Sequence, residues 1–278
     1  MNLILQGGDI AAAELASLAK LTAASRIEER GERVFALINA APHPDIAPWA
    51  RAHKSDFGFV PDGRTLYDCG LFVTDMDSTL ITIECIDEIA DMFGLKAEVS
   101  KITEAAMRGE LDFSESLRRR VSLLAGLDES ALMRVYDERL QLSPGAPRLM
   151  EALKKAGITT VLVSGGFTFF TERLKSRLGF DHAYANTLEV AGGKLTGRVL
   201  GGIVDADKKR TVLLEQKEAL RLKKEAIIAA GDGANDLKML SEAGVSVAYR
   251  AKPVVREQAA YAIDFCGLDG ILNWFEPA

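Results

Sequence analysis

The chain has 278 residues, 48% of them hydrophobic and 27% charged, with a formal net charge of −6. That length allows one large core with a smaller unit beside it. Acidic and basic residues are interspersed without a long basic tract, which argues against nucleic acid as a partner. No apolar stretch approaches the roughly 20 residues that span a bilayer, so no membrane partner is expected.

The opening MNLILQGGDI has a short apolar run and no basic segment before it, so a signal peptide is not expected. Cys69, Cys85 and Cys266 are far apart and fit no metal-ligand spacing. They read as reduced thiols of a cytoplasmic protein.

Residues 1–66 form a distinct beginning. NLILQ predicts a strand, IAAAELASLAKLTAA an amphipathic helix, RVFALINA a second strand and DIAPWARAHK a short helix. A small α/β domain follows from this alternation, closed by a Pro-Asp-Gly turn at 61–63. The second unit runs from 67 to 278. Its strand candidates are LFVT (71–74), TTVLVS (159–164), AIIAAG (226–231) and VSVAY (245–249). They are apolar on both faces and separated by helical stretches, as in a parallel sheet covered by helices. LEVAGGKLTGRVL (188–200) predicts a β-hairpin around Gly192 and Gly193. Between the first two strands lies a mostly helical insertion, about 84–145, placed as a cap over the carboxyl edge of the sheet.

Ligands of open parallel sheets bind outside the carboxyl ends of the strands. Here those ends are unusual. The first finishes in Asp75-Met76-Asp77-Ser78-Thr79, the second in Ser164-Gly165-Gly166 and the third in Gly231-Asp232-Gly233-Ala234-Asn235-Asp236. Two aspartates one residue apart repel each other and resist desolvation, so at a strand end they call for a positive partner. Converging carboxylates suit a hard cation such as Mg²⁺, and that combination suits a phosphate. Ser164 and the glycine amides offer donors to phosphate oxygens. A lysine should complete the cradle, and Lys208 and Lys209 precede a helix predicted at about 210–221. GDGAND lacks the late glutamate of a calcium loop. In such a site one carboxylate attacks phosphorus, while its neighbour gives a proton to the leaving alkoxide and later activates water.

DMDSTLITIECIDEIA, MRGELDFSESLRRRVSLL, VSGGF and GDGAND together resemble the phosphoserine phosphatase family of the haloacid dehalogenase superfamily, over roughly residues 70–270. The resemblance implies an α/β fold: a Rossmann-like parallel-sheet core with a small helical cap insertion. It implies Mg²⁺-dependent hydrolysis of O-phospho-L-serine, the last step of serine biosynthesis, or action on another small phosphorylated amino acid or metabolite. Carried over by position, Asp75 is the nucleophile and Asp77 the general acid/base. Asp75, the Asp77 carbonyl and Asp232 hold the metal, with Asp236 supporting. Ser164 and Gly165 match phosphate-contacting positions, and Asn235 the loop that positions substrate. Lys209, four residues before Leu213, fits the phosphate lysine best, with Lys208 adjacent. Glu84 matches the position that meets the substrate ammonium. Arg120, in a run with Arg118 and Arg119, matches the one that pairs with its carboxylate. Met107 and Phe113 match apolar cap residues that close over the substrate. His43, His53 and His182 are assigned no chemistry. Residues 1–66 lie outside these motifs; regulatory (ACT-like) and homodimerising roles both remain open for them.

Overall fold

The computed structural model describes residues 1–276, and the side chain of Met107 lies outside that description. The first 60 residues build β1 (Asn2–Gly7), α1 (Ala12–Leu21), β2 (Arg26–Gly31), β3 (Val34–Ile38), α2 (Ile46–Ala52) and β4 (Ser55–Val60). Their sheet is antiparallel in the order β2-β3-β1-β4. Side chains of β1 alternate between two apolar environments. Leu3 and Leu5 pack with Leu15, Leu18 and Ile46 under the helices. Ile4, with Ala36, Ile38 and Val60, faces the other way into the core of the larger body. The expected strand–helix–strand–helix order is thus incomplete, because β2 and β4 are also strands. RIEERG is a charged, largely exposed edge strand. SDFGFV carries a glycine and an aspartate that suit the seam rather than strand propensity.

That seam joins the two sheets. Asp56 is 4% exposed, and its carboxylate accepts from the backbone N–H groups of Asp264 (2.8 Å), Phe265 (3.2 Å) and Cys266 (2.8 Å). Gly58 leaves room for the Tyr261 ring, since a Cβ there would fall 2.7 Å from Tyr261 Cδ1. Tyr261 in turn stacks on Trp274, with ring centroids 5.1 Å apart.

The larger sheet contains β5 (Leu71–Thr74), β6 (Thr159–Phe167), β7 (His182–Ala191), β8 (Lys194–Leu200), β9 (Ile227–Gly231), β10 (Val245–Tyr249) and β11 (Tyr261–Ile263). Their order is β11-β10-β9-β5-β6-β7-β8, parallel except for the β7–β8 hairpin. β5 is central and wholly buried, between β6 and β9. Thr74 is level with Leu162 and Ala230, so the next residues of all three strands meet at one edge. β6 runs three residues beyond the expected boundary, and its register with β7 shifts between Val163 and Phe167. Ser164-Gly165-Gly166 therefore lies within the irregular last turn of a strand rather than after it.

The insertion after β5 contains α3 (Cys85–Met92), α4 (Lys96–Met107), α5 (Phe113–Ser122) and α6 (Ser130–Glu138). α7 (Ala146–Lys155) then leads into β6, and α8 (Thr168–Leu178) follows it. α9 (Ala206–Ala219) begins four residues earlier than expected, α10 (Leu237–Leu240) follows β9, and α11 (Pro253–Gln258) follows β10. Among the described residues no helix is long and apolar enough to cross a membrane. The three cysteines are free thiols, two of them buried.

Candidate active site

A cavity of about 590 Å³ opens between the carboxyl edge of the larger sheet and the cap helices. Asp75 follows β5, and its N–H donates to the Ala230 carbonyl at 3.0 Å, which ties it to β9. Its carboxylate, in a residue only 6% exposed, accepts from Met76 N–H at 2.7 Å and contacts Lys209 Nζ at 2.7 Å. The chain then turns sharply. Ser78 takes a left-handed φ of 56°, so Asp77 points into the same cavity instead of back into the sheet. Cys85 N–H, at the start of α3, donates to Asp77 Oδ1 at 3.4 Å.

Lys209 reaches the site because Asp205 caps α9, accepting from Lys208 N–H at 2.9 Å. Four residues beyond that cap, Lys209 lies on the buried face with Val212 and Leu213. Its ammonium is fully buried, 2.7 Å from Asp75 and 2.8 Å from Asp236. Burial alone would lower its pKa, but the two carboxylates outweigh burial and hold it above the ordinary lysine value. Lys208 is exposed, with Glu215 at 3.9 Å.

Asp232 and Asp236 come from the loop after β9. Asp232 Oδ1 accepts from Thr79 Oγ1 at 2.9 Å. Asp236 folds back on its own loop: Oδ2 accepts from the N–H groups of Asp232 (3.1 Å) and Gly233 (3.0 Å), while Oδ1 holds Lys209. Oxygen atoms of Asp75, Asp232 and Asp236 lie within 4.8 Å of one another, an all-oxygen cluster able to hold a metal ion. Burial and the Asp236 charge push Asp232 up to about 6. Burial, then the Glu84 charge, pushes Asp77 up to about 8, which leaves it protonated beside Asp75 at neutral pH. Asp75 is also raised by burial and by Asp236, with Lys209 opposing.

On the opposite wall, Ser164 is 1% exposed and its Oγ accepts from Gly166 N–H at 2.8 Å. Asn186, fully buried, donates to the Gly165 carbonyl and accepts from Val204 N–H, both at 2.8 Å. That clamp ties the glycine turn to the segment leading into α9. The ring of Phe113 covers Gly165, where a Cβ would fall 2.8 Å from its Cζ.

The cap contributes one helical stripe. Phe113, Ser116, Leu117 and Arg120 of α5 all line the cavity, at the i, i+3, i+4, i+7 spacing of a single face. The same periodicity turns Arg118 and Arg119 outward, and Arg119 pairs with Glu115 at 2.7 Å. Arg120 is largely buried, which lowers its pKa, and its Nε has no partner among the described residues. Glu84 accepts from Ser78 Oγ at 2.8 Å. Burial raises its pKa, while that hydrogen bond and the Arg120 and Lys252 charges act against the rise. Asn235 also lines the cavity. Met107, which ends α4, lies outside the described side chains.

The family model for haloacid dehalogenase-like hydrolases matches residues 72–241. The chain belongs to that family. A second model, a domain of unknown function, matches residues 3–46. A phosphoserine phosphatase of Polaromonas sp. is 56% identical over 213 residues, covering 75% of this chain and 90% of that protein. The crystal structure of a probable phosphoserine phosphatase from Vibrio cholerae superposes with a TM-score of 0.86 at 38% identity, over 99% of this chain and 86% of that one. A structure of a HAD family hydrolase from Salmonella enterica serovar Typhi gives 0.90 at 32% identity, over 99% and 98%.

Within this fold several site residues went unassigned in the sequence. Thr79 and Ser78 stand in the quoted DMDST and hold Asp232 and Glu84. Asp87 lines the cavity one helical turn past Glu84, and its charge acts on Arg120. Ser116 and Leu117 follow from the helical period around Arg120. Lys252 and Asn186 stand in no motif, and nothing in the sequence singles them out.

Proposed function

We propose that this chain hydrolyses O-phospho-L-serine to L-serine and inorganic phosphate through an aspartyl phosphate on Asp75. One observation carries the reading: a single cavity is lined by Asp75, Ser164 and Gly165 and also by both Glu84 and Arg120. A phosphorylated amino acid has a phosphate, an ammonium and a carboxylate. Arg120 suits the carboxylate through its planar fork, and Glu84 suits the ammonium. The names of the related proteins from Polaromonas sp. and V. cholerae support the same substrate.

In the first step the Asp75 carboxylate forms a bond to phosphorus as the ester P–O bond breaks. Asp77 delivers its proton to the departing serine oxygen. In the second step Asp77 takes a proton from water, the water oxygen bonds to phosphorus, and the bond to Asp75 breaks. Lys209 holds the Asp75 nucleophile in place, and Ser164 Oγ and the Gly165 N–H orient the phosphoryl oxygens. Phe113 closes over the substrate and excludes water.

The carboxylate cluster fits a divalent cation, and Mg²⁺ is the ion we propose. Asp75, the Asp77 carbonyl and Asp232 would hold it. Asp236, with both oxygens engaged by Lys209 and two amides, would support from behind. When bound it offsets the phosphate charge that opposes an anionic nucleophile.

The test is phosphate release from L-phosphoserine, phosphothreonine and simple phosphomonoesters, with and without Mg²⁺. A clear preference for phosphoserine is expected. Equal turnover of all of them overturns the roles of Glu84 and Arg120.

A further inference from the structure

β10 is a fourth strand whose carboxyl end faces the cavity, and the chain beyond it is tightly preset. Arg250 holds φ at 46°, a left-handed conformation strained for a residue other than glycine, while its N–H donates to the Ile263 carbonyl at 2.7 Å. Two residues on, Lys252 N–H donates to the Asp232 carbonyl at 3.1 Å. Pro253, the first residue of α11, confines Lys252 to extended backbone, with φ −60° and ψ 150°. Three restraints thus fix where one exposed lysine leaves the backbone, and its side chain lines the cavity close enough for its charge to act on Glu84.

The charge balance gives that placement a use. Asp75, Glu84, Asp87 and Asp232 line the cavity beside the protonated Asp77, against two lining cations, Arg120 and Lys252. The ammonium of Lys209 is committed to Asp75 and Asp236. Lys252 makes no ion pair among the described residues, so its charge is available to an incoming ligand. A phosphorylated amino acid arrives with a net charge of about −2, toward a wall of carboxylates.

We propose that Lys252 is a substrate-steering residue, whose ammonium meets the anionic groups of the phosphomonoester at the cavity mouth and draws them past the lining carboxylates. The proposal rests on the phosphatase reading above. A cation on a flexible stem at an exposed rim acts on capture rather than on the bond-breaking step, so its mark is on KM and on salt dependence.

The experiment compares the unaltered protein with Lys252→Met and Lys252→Arg. KM for phosphoserine should rise about fivefold in Lys252→Met, the effect of a single solvent-facing charge contact, with kcat within about twofold. Lys252→Arg should restore it. Raising ionic strength should lower kcat/KM of the unaltered protein more steeply than that of Lys252→Met. Unchanged KM and an identical salt slope overturn the proposal. So does a loss of kcat with a lowered melting temperature in both variants, which makes the residue structural. If the unaltered protein does not turn over phosphoserine, the parent reading fails. Calorimetric binding of inorganic phosphate with Mg²⁺ then judges Lys252 by itself: weaker binding by Lys252→Met upholds it, and equal affinity overturns it.

Discussion

Replacing Lys209 with methionine keeps the length of the side chain and deletes only the charge, so it isolates what the ammonium does. The side chain makes two charge-assisted contacts, 2.7 Å to Asp75 and 2.8 Å to Asp236, with no solvent to replace them. Removing one partner from a buried ionic cluster costs about 3–5 kcal/mol. Asp236 keeps two amide donors, at 3.1 and 3.0 Å, which points to the lower end, about 3 kcal/mol. For a protein of this size that is roughly 6–12 °C of melting temperature. The deficit should depend on pH, with a definite sign. Without the ammonium, the rise that burial and the Asp236 charge impose on the Asp75 carboxyl goes unopposed, and a carboxyl with a raised folded pKa is destabilising once it ionises. The deficit is therefore widest near pH 8 and narrows toward about pH 5. The assay is thermal unfolding with metal chelated at both pH values, and phosphate release with Mg²⁺ present, where kcat should fall by about 10²–10³. Lys208→Met is the control, with an exposed side chain and little expected change in either readout. If Lys209→Met melts with the parent and retains turnover, the assignment of this lysine is wrong.

Other outcomes follow from the same geometry. Asp75→Asn should abolish phosphate release while circular dichroism stays native, because the amide keeps the shape but is no nucleophile. Gly166→Ala sets a Cβ 2.8 Å from Asp77 Oδ2 and from Met76 Cε, so kcat should fall about 10²-fold through a displaced Asp77. Asp56→Ala leaves three part-buried amides at the seam without their acceptor and should cost about 1–2 kcal/mol in denaturant unfolding with catalysis of the remaining folded protein unchanged. His53 contacts the Trp49 carbonyl at 2.8 Å and the Glu14 carboxylate at 2.7 Å, both acceptors, so both ring nitrogens must donate. The Trp49 bond, then Glu14, raises its pKa. That stability is full below the ordinary histidine pKa and lost as pH rises through the raised value. Thermal unfolding across about pH 6–8 should show it in the parent and not in His53→Gln.

Strands β5, β9 and β10 were legible because both their faces are buried, which leaves continuous apolar runs. β2 and β4 were not. Arg26, Glu28 and Glu29 suit a solvated edge, and Asp56 and Gly58 are chosen by partners more than 200 residues away. At the site, the residues in DMDST, VSGGF and GDGAND could be read because backbone turns demand those residue types at fixed spacing. The choice of Arg120 over its neighbours could also have been argued from helical period. Lys252 and Asn186 act through contacts between distant strands, and no local pattern encodes such contacts.

The seam around Asp56 also governs assembly. Its partner Asp264 lies 208 residues further along the chain. At about 5–20 residues per second, a ribosome needs roughly 10–40 s to cover that distance. During that interval the first sheet holds Ile4, Ala36, Ile38 and Val60 on a face with nothing yet to cover it. The nascent chain therefore carries a sticky surface through most of its own synthesis, and chaperone capture in that window should be sensitive to substitutions at those four positions.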